Sequence, residues 1–174
     1  METQKSSQTQ IMLNYGLILG FIGILMNVAL YALGKTYEPH WSQAVIGFAI
    51  MIAVIILAIK KYKDLNGGYL SLGDALKIGL GIALISGIIS VIYSLIFTNF
   101  IEPEYYNRMA EIQQQKILEK YPEISDEQLE ASMEMGKKFS GPVITSAFAL
   151  IGSLFFGFII SLIGGAIMKK SNEV

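Results

Sequence analysis

The sequence contains no cysteine. That absence excludes disulfides, thiol nucleophiles and cysteine-based metal sites. Histidine occurs once, at His40. With both shortages, most hydrolase and metalloenzyme chemistries lose their usual side chains. Charge is also scarce. Asp, Glu, Lys and Arg make up 16% of the 174 residues, against roughly 25% in an average soluble domain. A net charge of −1 leaves no basic field for nucleic acid. No cofactor or metal is expected.

What remains is apolar. Hydrophobic residues reach 53%, and they come in long blocks that amphipathic core helices do not need. A hydrocarbon core of about 30 Å takes roughly 20 helical residues to cross. Four segments are long enough, at about 11–33, 41–59, 75–100 and 142–168. No Asp, Glu, Lys or Arg lies between Trp41 and Ile59, between Ile78 and Ile101, or between Pro142 and Met168. Backbone in lipid must satisfy its own hydrogen bonds, so these segments are helices. The expected fold is all-α and polytopic: one four-helix transmembrane domain over residues 1–174, with an extracytoplasmic helical hairpin between helices three and four. The first span is read as a retained helix. Ala32-Leu33-Gly34 has a small-x-small cleavage form, but the apolar run exceeds the roughly 7–15 residues of a signal peptide.

Orientation follows from Lys and Arg near helix ends. Lys5, Lys60, Lys61, Lys63, Lys77, Lys169 and Lys170 fall on one side. Lys35, Arg108, Lys116, Lys120, Lys137 and Lys138 fall on the other. The first set sits in short segments against the membrane, so both termini are read as cytoplasmic. Tyr37 and Trp41 on one side, and Tyr62 and Tyr69 on the other, fit interfacial aromatic belts.

The loop at 102–138 is the only sizeable extramembrane part. Pro103 suits a first helical turn. The run from Glu104 to Lys120 lacks Gly and Pro, and Tyr121-Pro122 interrupts it. Ser125 then caps a second helix, with Gln128 completing a capping box. Tyr105, Met109 and Ile112 share one face, flanked by Tyr106. The plain reading is a hairpin resting on the membrane or on itself. The sharper one makes Tyr105, Tyr106, Met109 and Ile112 partner contacts.

Small residues recur every fourth position. The fourth span has Thr145, Ala149, Ser153, Gly157, Ser161 and Gly165; the third has Ala75, Gly79, Ala83 and Gly87; the first has Gly16 and Gly20. Residues four apart share a face, so these rows are smooth stripes where helices approach closely. They serve packing within the bundle or a homodimer. Asn27, the deepest polar residue, is expected to bond between helices. The spans lack the buried carboxylates, His or Arg that mark ion pathways.

Three other patterns carry less. Asn66-Gly67-Gly68 before Gly73 lacks the Gly-Lys-Ser/Thr of a phosphate loop. A turn is expected there, with Ser71 as N-cap and Asp74 three residues later. Met133 and Met135 are two apart, on nearly opposite sides of a helix, so they do not share a metal ion. A serine nucleophile from Ser86, Ser90, Ser153 or Ser161 would need a base, and His40 lies in a distant loop.

Two stretches are distinctive: Gly67-Gly68-Tyr69-Leu70-Ser71-Leu72-Gly73-Asp74-Ala75-Leu76-Lys77-Ile78-Gly79 entering the third span, and Asn99-Phe100-Ile101-Glu102-Pro103-Glu104-Tyr105 leaving it. They resemble the bacterial membrane family filed as domain of unknown function 4199, common in Bacteroidota. The resemblance covers nearly the whole chain and implies a bacterial inner-membrane location. The family has no assigned activity, so no residue role is carried over. The leading expectation is a non-enzymatic accessory or scaffold protein, working in the lipid bilayer with a membrane-protein partner. The rival is a small homo-oligomeric transporter or channel.

Overall fold

A computed structural model describes residues 2–38 and 40–170, with side chains from residue 7 onward. Lys5, counted above toward one side of the membrane, therefore lies outside the described side chains. Six α-helices follow in order: α1 (Glu2–Ala32), α2 (Trp41–Leu65), α3 (Leu72–Ile96), α4 (Tyr105–Lys120), α5 (Asp126–Phe139) and α6 (Pro142–Met168). A π-helical turn, Phe97–Ile101, extends α3. Among the described residues the only β-type pairing is an isolated bridge between Leu70 and Lys170.

Short polar side chains start the helices. Ser71 Oγ accepts from the Asp74 amide at 3.0 Å and donates to the Asp74 carboxylate at 2.6 Å. Ser125 Oγ accepts from the Gln128 amide at 3.3 Å. His40 Nδ1 caps α2 by accepting from the Ser42 amide at 3.3 Å. Each cap satisfies one of the amides that a helix start leaves without an internal partner. Pro142 opens α6, where its missing N–H costs nothing. Gly67 and Gly68 turn the chain between α2 and α3 with φ of 65° and 85°, a region side chains rarely enter.

Four helical stretches are long and apolar enough to cross a membrane: Ser7–Ala32, Trp41–Leu65, Leu72–Ile101 and Pro142–Met168. Their outward surfaces are apolar as well. Leu25 is 67% exposed, Phe155 58% and Ile167 79%. A chain folded for water does not leave apolar area on this scale uncovered. The molecule has the make-up of a multi-pass membrane protein.

Some boundaries differ from the sequence reading. α2 runs six residues past Ile59, so Lys60, Lys61 and Lys63 are helical rather than following the span. Apolar density ends at Ile59, but nothing there breaks a helix until Asn66-Gly67. α5 continues through Gly136 to Phe139. α4 begins two residues after Pro103, which sits in the preceding turn.

α3 is central. It packs along α6 on one side and α1 on the other, and α2 closes the ring against α1 and α6. The ring is not evenly filled. The buried residues of α2 all lie in its second half, Val54 to Tyr62, and those of α3 in its first, Ala75 to Gly87. Both halves meet at one end, where Ile55, Ile59, Leu70, Ile78 and Ile82 are fully buried. Tyr62 belongs to this core, 4% exposed, and not to an interfacial belt. Helix phase turns it inward with Ile55 and Ile59. The Leu70–Lys170 bridge and a 2.8 Å bond from Lys63 Nζ to the Met168 carbonyl tie the same end together. Toward the other end α2 exposes Trp41, Val45 and Ile46, while its Phe48 meets Phe156 of α6 edge-on at 5.2 Å.

Candidate functional site

The open end of the bundle is organised by the π turn. Its wide backbone register shows in the bond from the Glu102 amide to the Phe97 carbonyl at 2.8 Å. Such turns reposition side chains at a helix end and recur at functional sites. Here Phe97 is buried and Glu102 folds back over the bundle, its side chain 13% exposed.

Around Phe97 an aromatic cluster assembles from four separate segments. Tyr31 of α1 meets it edge-on at 5.3 Å, Tyr93 at 5.9 Å and Tyr105 of α4 edge-on at 5.9 Å. Tyr37, from the α1–α2 loop, stacks on Tyr105 at 5.7 Å. Offset and edge-on pairs of this kind add to plain area burial. Glu102 supplies the polar ties. It accepts from the Tyr31 hydroxyl at 3.3 Å and pairs with Arg108 at 3.2 Å. Arg108 also lies 5.8 Å from the centre of the Tyr37 ring. The Tyr37 hydroxyl is buried beside Glu102 without a well-formed hydrogen bond. Burial, then the Glu102 carboxylate, pushes the Tyr37 phenol above its usual range, against a smaller lowering by Arg108. Burial, reinforced by Tyr106, raises Tyr105 too.

This cluster settles where the face of α4 points. Tyr105 and Tyr106 are half-buried against the bundle. Farther along, Ile112 and Lys116 line one groove with Leu30, Leu33 and Tyr37, so α4 lies across the end of the bundle. Met109 is half-buried on the same helix. Of the residues read as partner contacts, Tyr105 and Tyr106 thus line a cavity against the chain's own spans and Ile112 lines the groove. Tyr37, expected in an aromatic belt, stacks on Tyr105. What α4 and α5 leave exposed is Leu118, Tyr121, Met135 and Phe139.

Beneath the cluster is a cavity of about 280 Å³. α1 contributes Gly23 and Asn27, α3 contributes Ser90, Tyr93 and Ser94, and α6 contributes Thr145. No α2 residue lines it. Asn27 Oδ1 accepts from the Tyr93 hydroxyl at 2.8 Å across α1 and α3.

The small-residue stripes form seams outside the cavity. Along α3 and α6 the backbones nearly touch. A Cβ on Gly157 would meet the Ala83 Cβ at 2.6 Å and the Gly79 carbonyl at 3.2 Å, and one on Gly165 would meet the Ala75 Cβ at 2.6 Å. Gly79 faces the Ser161 side chain, and Gly87 faces Leu150 and Ser153. On the α1 side, Gly16 receives Ile85 and Gly20 receives Ile89. The α6 stripe from Ser153 to Gly165 is therefore occupied inside the chain. Seam hydroxyls are satisfied locally: Ser86 and Ser153 donate to the Ala83 carbonyl at 3.2 and 3.3 Å, and Ser161 to the Gly157 carbonyl at 2.7 Å. Among the described residues no group of three or more His, Asp or Glu side chains converges.

The sequence reading missed the cluster. Its members are scattered over 75 positions, and no periodicity marks a π turn. The one local signal was the stretch from Asn99 to Tyr105, which contains the end of the turn and Glu102.

No curated protein and no solved structure matches the chain. A family model described as "Protein of unknown function (DUF4199)" matches residues 14–170, the four apolar helices and both intervening short ones, and the chain belongs to that family.

Proposed function

We propose that the chain is a non-enzymatic accessory or scaffold protein of a bacterial inner membrane, with the α4–α5 pair as its docking platform for a second membrane protein. The observation that carries this is the anchoring of α4. Ring contacts of Tyr105 with Tyr37 and Phe97 and the Glu102–Arg108 pair hold it against the bundle end, while Leu118, Tyr121, Met135 and Phe139 stay exposed. A preorganised surface loses less entropy on binding. Residues 102–138 carry nine acidic and five basic side chains, which favours a basic segment on the partner. The buried seam hydroxyls are engaged by helix carbonyls, which supports a role without nucleophilic chemistry.

The test is purification from native membranes in mild detergent, comparing the full chain with one in which residues 105–137 are replaced by a short Gly-Ser linker. A protein that accompanies the full chain in fixed ratio and is lost with the linker supports the reading. An unchanged set of companions overturns it.

The sidedness in this reading puts both termini in the cytoplasm and α4–α5 outside. Support comes from the lysine-rich end formed by Lys60, Lys61, Lys63 and Lys170. Because the chain has no cysteine, Gln113→Cys and Lys61→Cys are clean probes. An impermeant maleimide on intact spheroplasts should label the first alone; the reverse pattern inverts the topology.

The rival is a small homo-oligomeric transporter or channel, favoured by the cavity of about 280 Å³, whose mostly apolar lining includes Asn27, Ser90, Ser94 and Thr145. A chain that purifies alone as a defined oligomer, and carries solute flux in liposomes, would establish it.

A further inference from the structure

At the lysine-rich end a groove of about 400 Å³ opens outward between α1 and α2. α1 contributes Ser7, Gln10 and Asn14, α2 contributes Lys61, and the buried Ile11 lies between them. Positions 7, 10 and 14 are three and four apart, so they form one row along α1. Continued toward the middle of the helix, the same row turns apolar at Leu17 and Phe21, both exposed. On α2, the position one turn before Lys61 is Leu57, also exposed. The groove therefore grades from charged through neutral polar to apolar. Its lining holds one cation and no carboxylate. Asp64, three positions beyond Lys61, lies outside the lining and forms no ion pair with it.

Depth sets the level of each group. The apolar stretch of α1 starts at Ser7 and has 26 residues, roughly 39 Å at 1.5 Å per residue, against a hydrocarbon core of about 30 Å. Centred on that core, it puts Ser7 in the headgroup layer, Gln10 at the boundary and Asn14 about 6 Å below it. Lys61 is one turn from the end of α2, and its stem carries the ammonium to the same boundary. Asn14 is exposed at a depth where bulk water is absent. A polar amide there needs a partner, and among the described residues its side chain bonds to none. Exposure to lipid is what a lipid ligand requires.

We infer that this groove binds the phosphodiester of an anionic glycerophospholipid. Such a molecule presents phosphate, ester carbonyls and acyl chains in the order in which the groove presents cation, amide and hydrocarbon. Lys61, Gln10 and Ser7 hold the phosphate oxygens. Asn14 donates to an ester carbonyl, and the acyl chains follow Leu17, Phe21 and Leu57. An ethanolamine headgroup brings an ammonium that meets Lys61 and no carboxylate, so a headgroup of net negative charge is preferred. A water-borne phosphate ester shares the phosphate chemistry and lacks the chains. The inference holds for either sidedness and is independent of the role of α4–α5.

Lys60 makes the test clean. It precedes Lys61, carries the same charge, is exposed and lies outside the groove. The full chain is placed in nanodiscs of equal dioleoylphosphatidylglycerol and dioleoylphosphatidylethanolamine, released, and weighed by native mass spectrometry. Phosphatidylglycerol is retained over phosphatidylethanolamine by about tenfold, the equivalent of one charge-assisted hydrogen bond. Lys61→Gln brings the two near parity, and Lys60→Gln keeps the preference. Asn14→Leu, which extends the apolar row, lowers retention about fivefold, and it decides the matter if Lys61→Gln does not insert. No preference in the parent, or unchanged retention in a folded Asn14→Leu chain, overturns the inference. So does an equal loss in Lys60→Gln and Lys61→Gln, which would assign the preference to the general field of the lysine-rich end. Displacement of phosphatidylglycerol by millimolar glycerol 1-phosphate overturns the lipid assignment in favour of a water-borne phosphate ester.

Discussion

Lys63 Nζ donates to the main-chain carbonyl of Met168 at 2.8 Å, across 105 positions of sequence. The ammonium sits at the C-terminus of α6, where the last carbonyls lack internal partners and the helix dipole favours a cation. The bond joins the end of the last span to the last turn of α2, beside the Leu70–Lys170 bridge. Lys63→Met should lower stability by roughly 1 kcal/mol, and Lys63→Arg should restore most of it. Thermal unfolding in detergent, followed by size-exclusion fluorescence, measures both. Equal melting of Lys63→Met and the parent would remove the cap from the account.

The α3–α6 seam predicts a contrast among glycines. Gly157→Leu drives a side chain into Ala83 and the Gly79 carbonyl, an overpacking that costs about 1–3 kcal/mol or more. The chain should lose its monomeric fold and aggregate on extraction. Gly152→Leu, on the same helix with nothing within 4 Å of an added Cβ, should fold normally. A Gly157→Leu chain that stays folded and only changes oligomeric state would place the seam between chains.

Ser71 holds both ends of a reciprocal bond with Asp74 at the entrance to α3. Ser71→Ala should cost about 1 kcal/mol and Ser71→Asp much less. Chemical-denaturant midpoints in mixed micelles read the difference. Identical midpoints would mean that packing of Leu70 and Ala75 alone sets this helix start.

Tyr37 gives a pH dependence. Its phenol is raised by burial and by Glu102, so the folded chain holds the proton more tightly than the unfolded one. The stability it contributes is full below the unfolded value near 10 and is lost as pH rises through the higher folded value. Hydrogen exchange of α4 should therefore accelerate above about pH 10. Tyr37→Phe should blunt that rise, and Tyr105, raised by burial and by Tyr106, should carry what remains. The same profile in Tyr37→Phe as in the parent would assign the transition elsewhere.

Much of this architecture is legible residue by residue. Uncharged apolar blocks near Ile50, Ile85 and Ile159 leave a lipid-borne chain no alternative to helices. The caps at Ser71 and Ser125 are local and were readable, because each needs only its own three neighbours. Tyr62 shows the limit. Aromatic identity and nearness to lysines pointed to the interface, whereas helix phase shared with Ile55 and Ile59 turned the ring into the core. The face of α4 shows a related limit. An apolar stripe of Tyr105, Met109 and Ile112 states that something covers it, and not what.

The linear order of residues thus determined the number and approximate placement of the helices, most of their starts, and the small-residue rows, since each depends on transfer energies and hydrogen bonds within a few positions. Which helix fills which stripe, the inward turn of Tyr62, the π turn under Phe97 and the gathering of Asn27, Ser90, Tyr93 and Thr145 around one cavity were decided by packing. The cavity lining draws on residues up to 122 positions apart, from Gly23 to Thr145. Such arrangements depend on the simultaneous fit of four rigid helices, which no local pattern encodes.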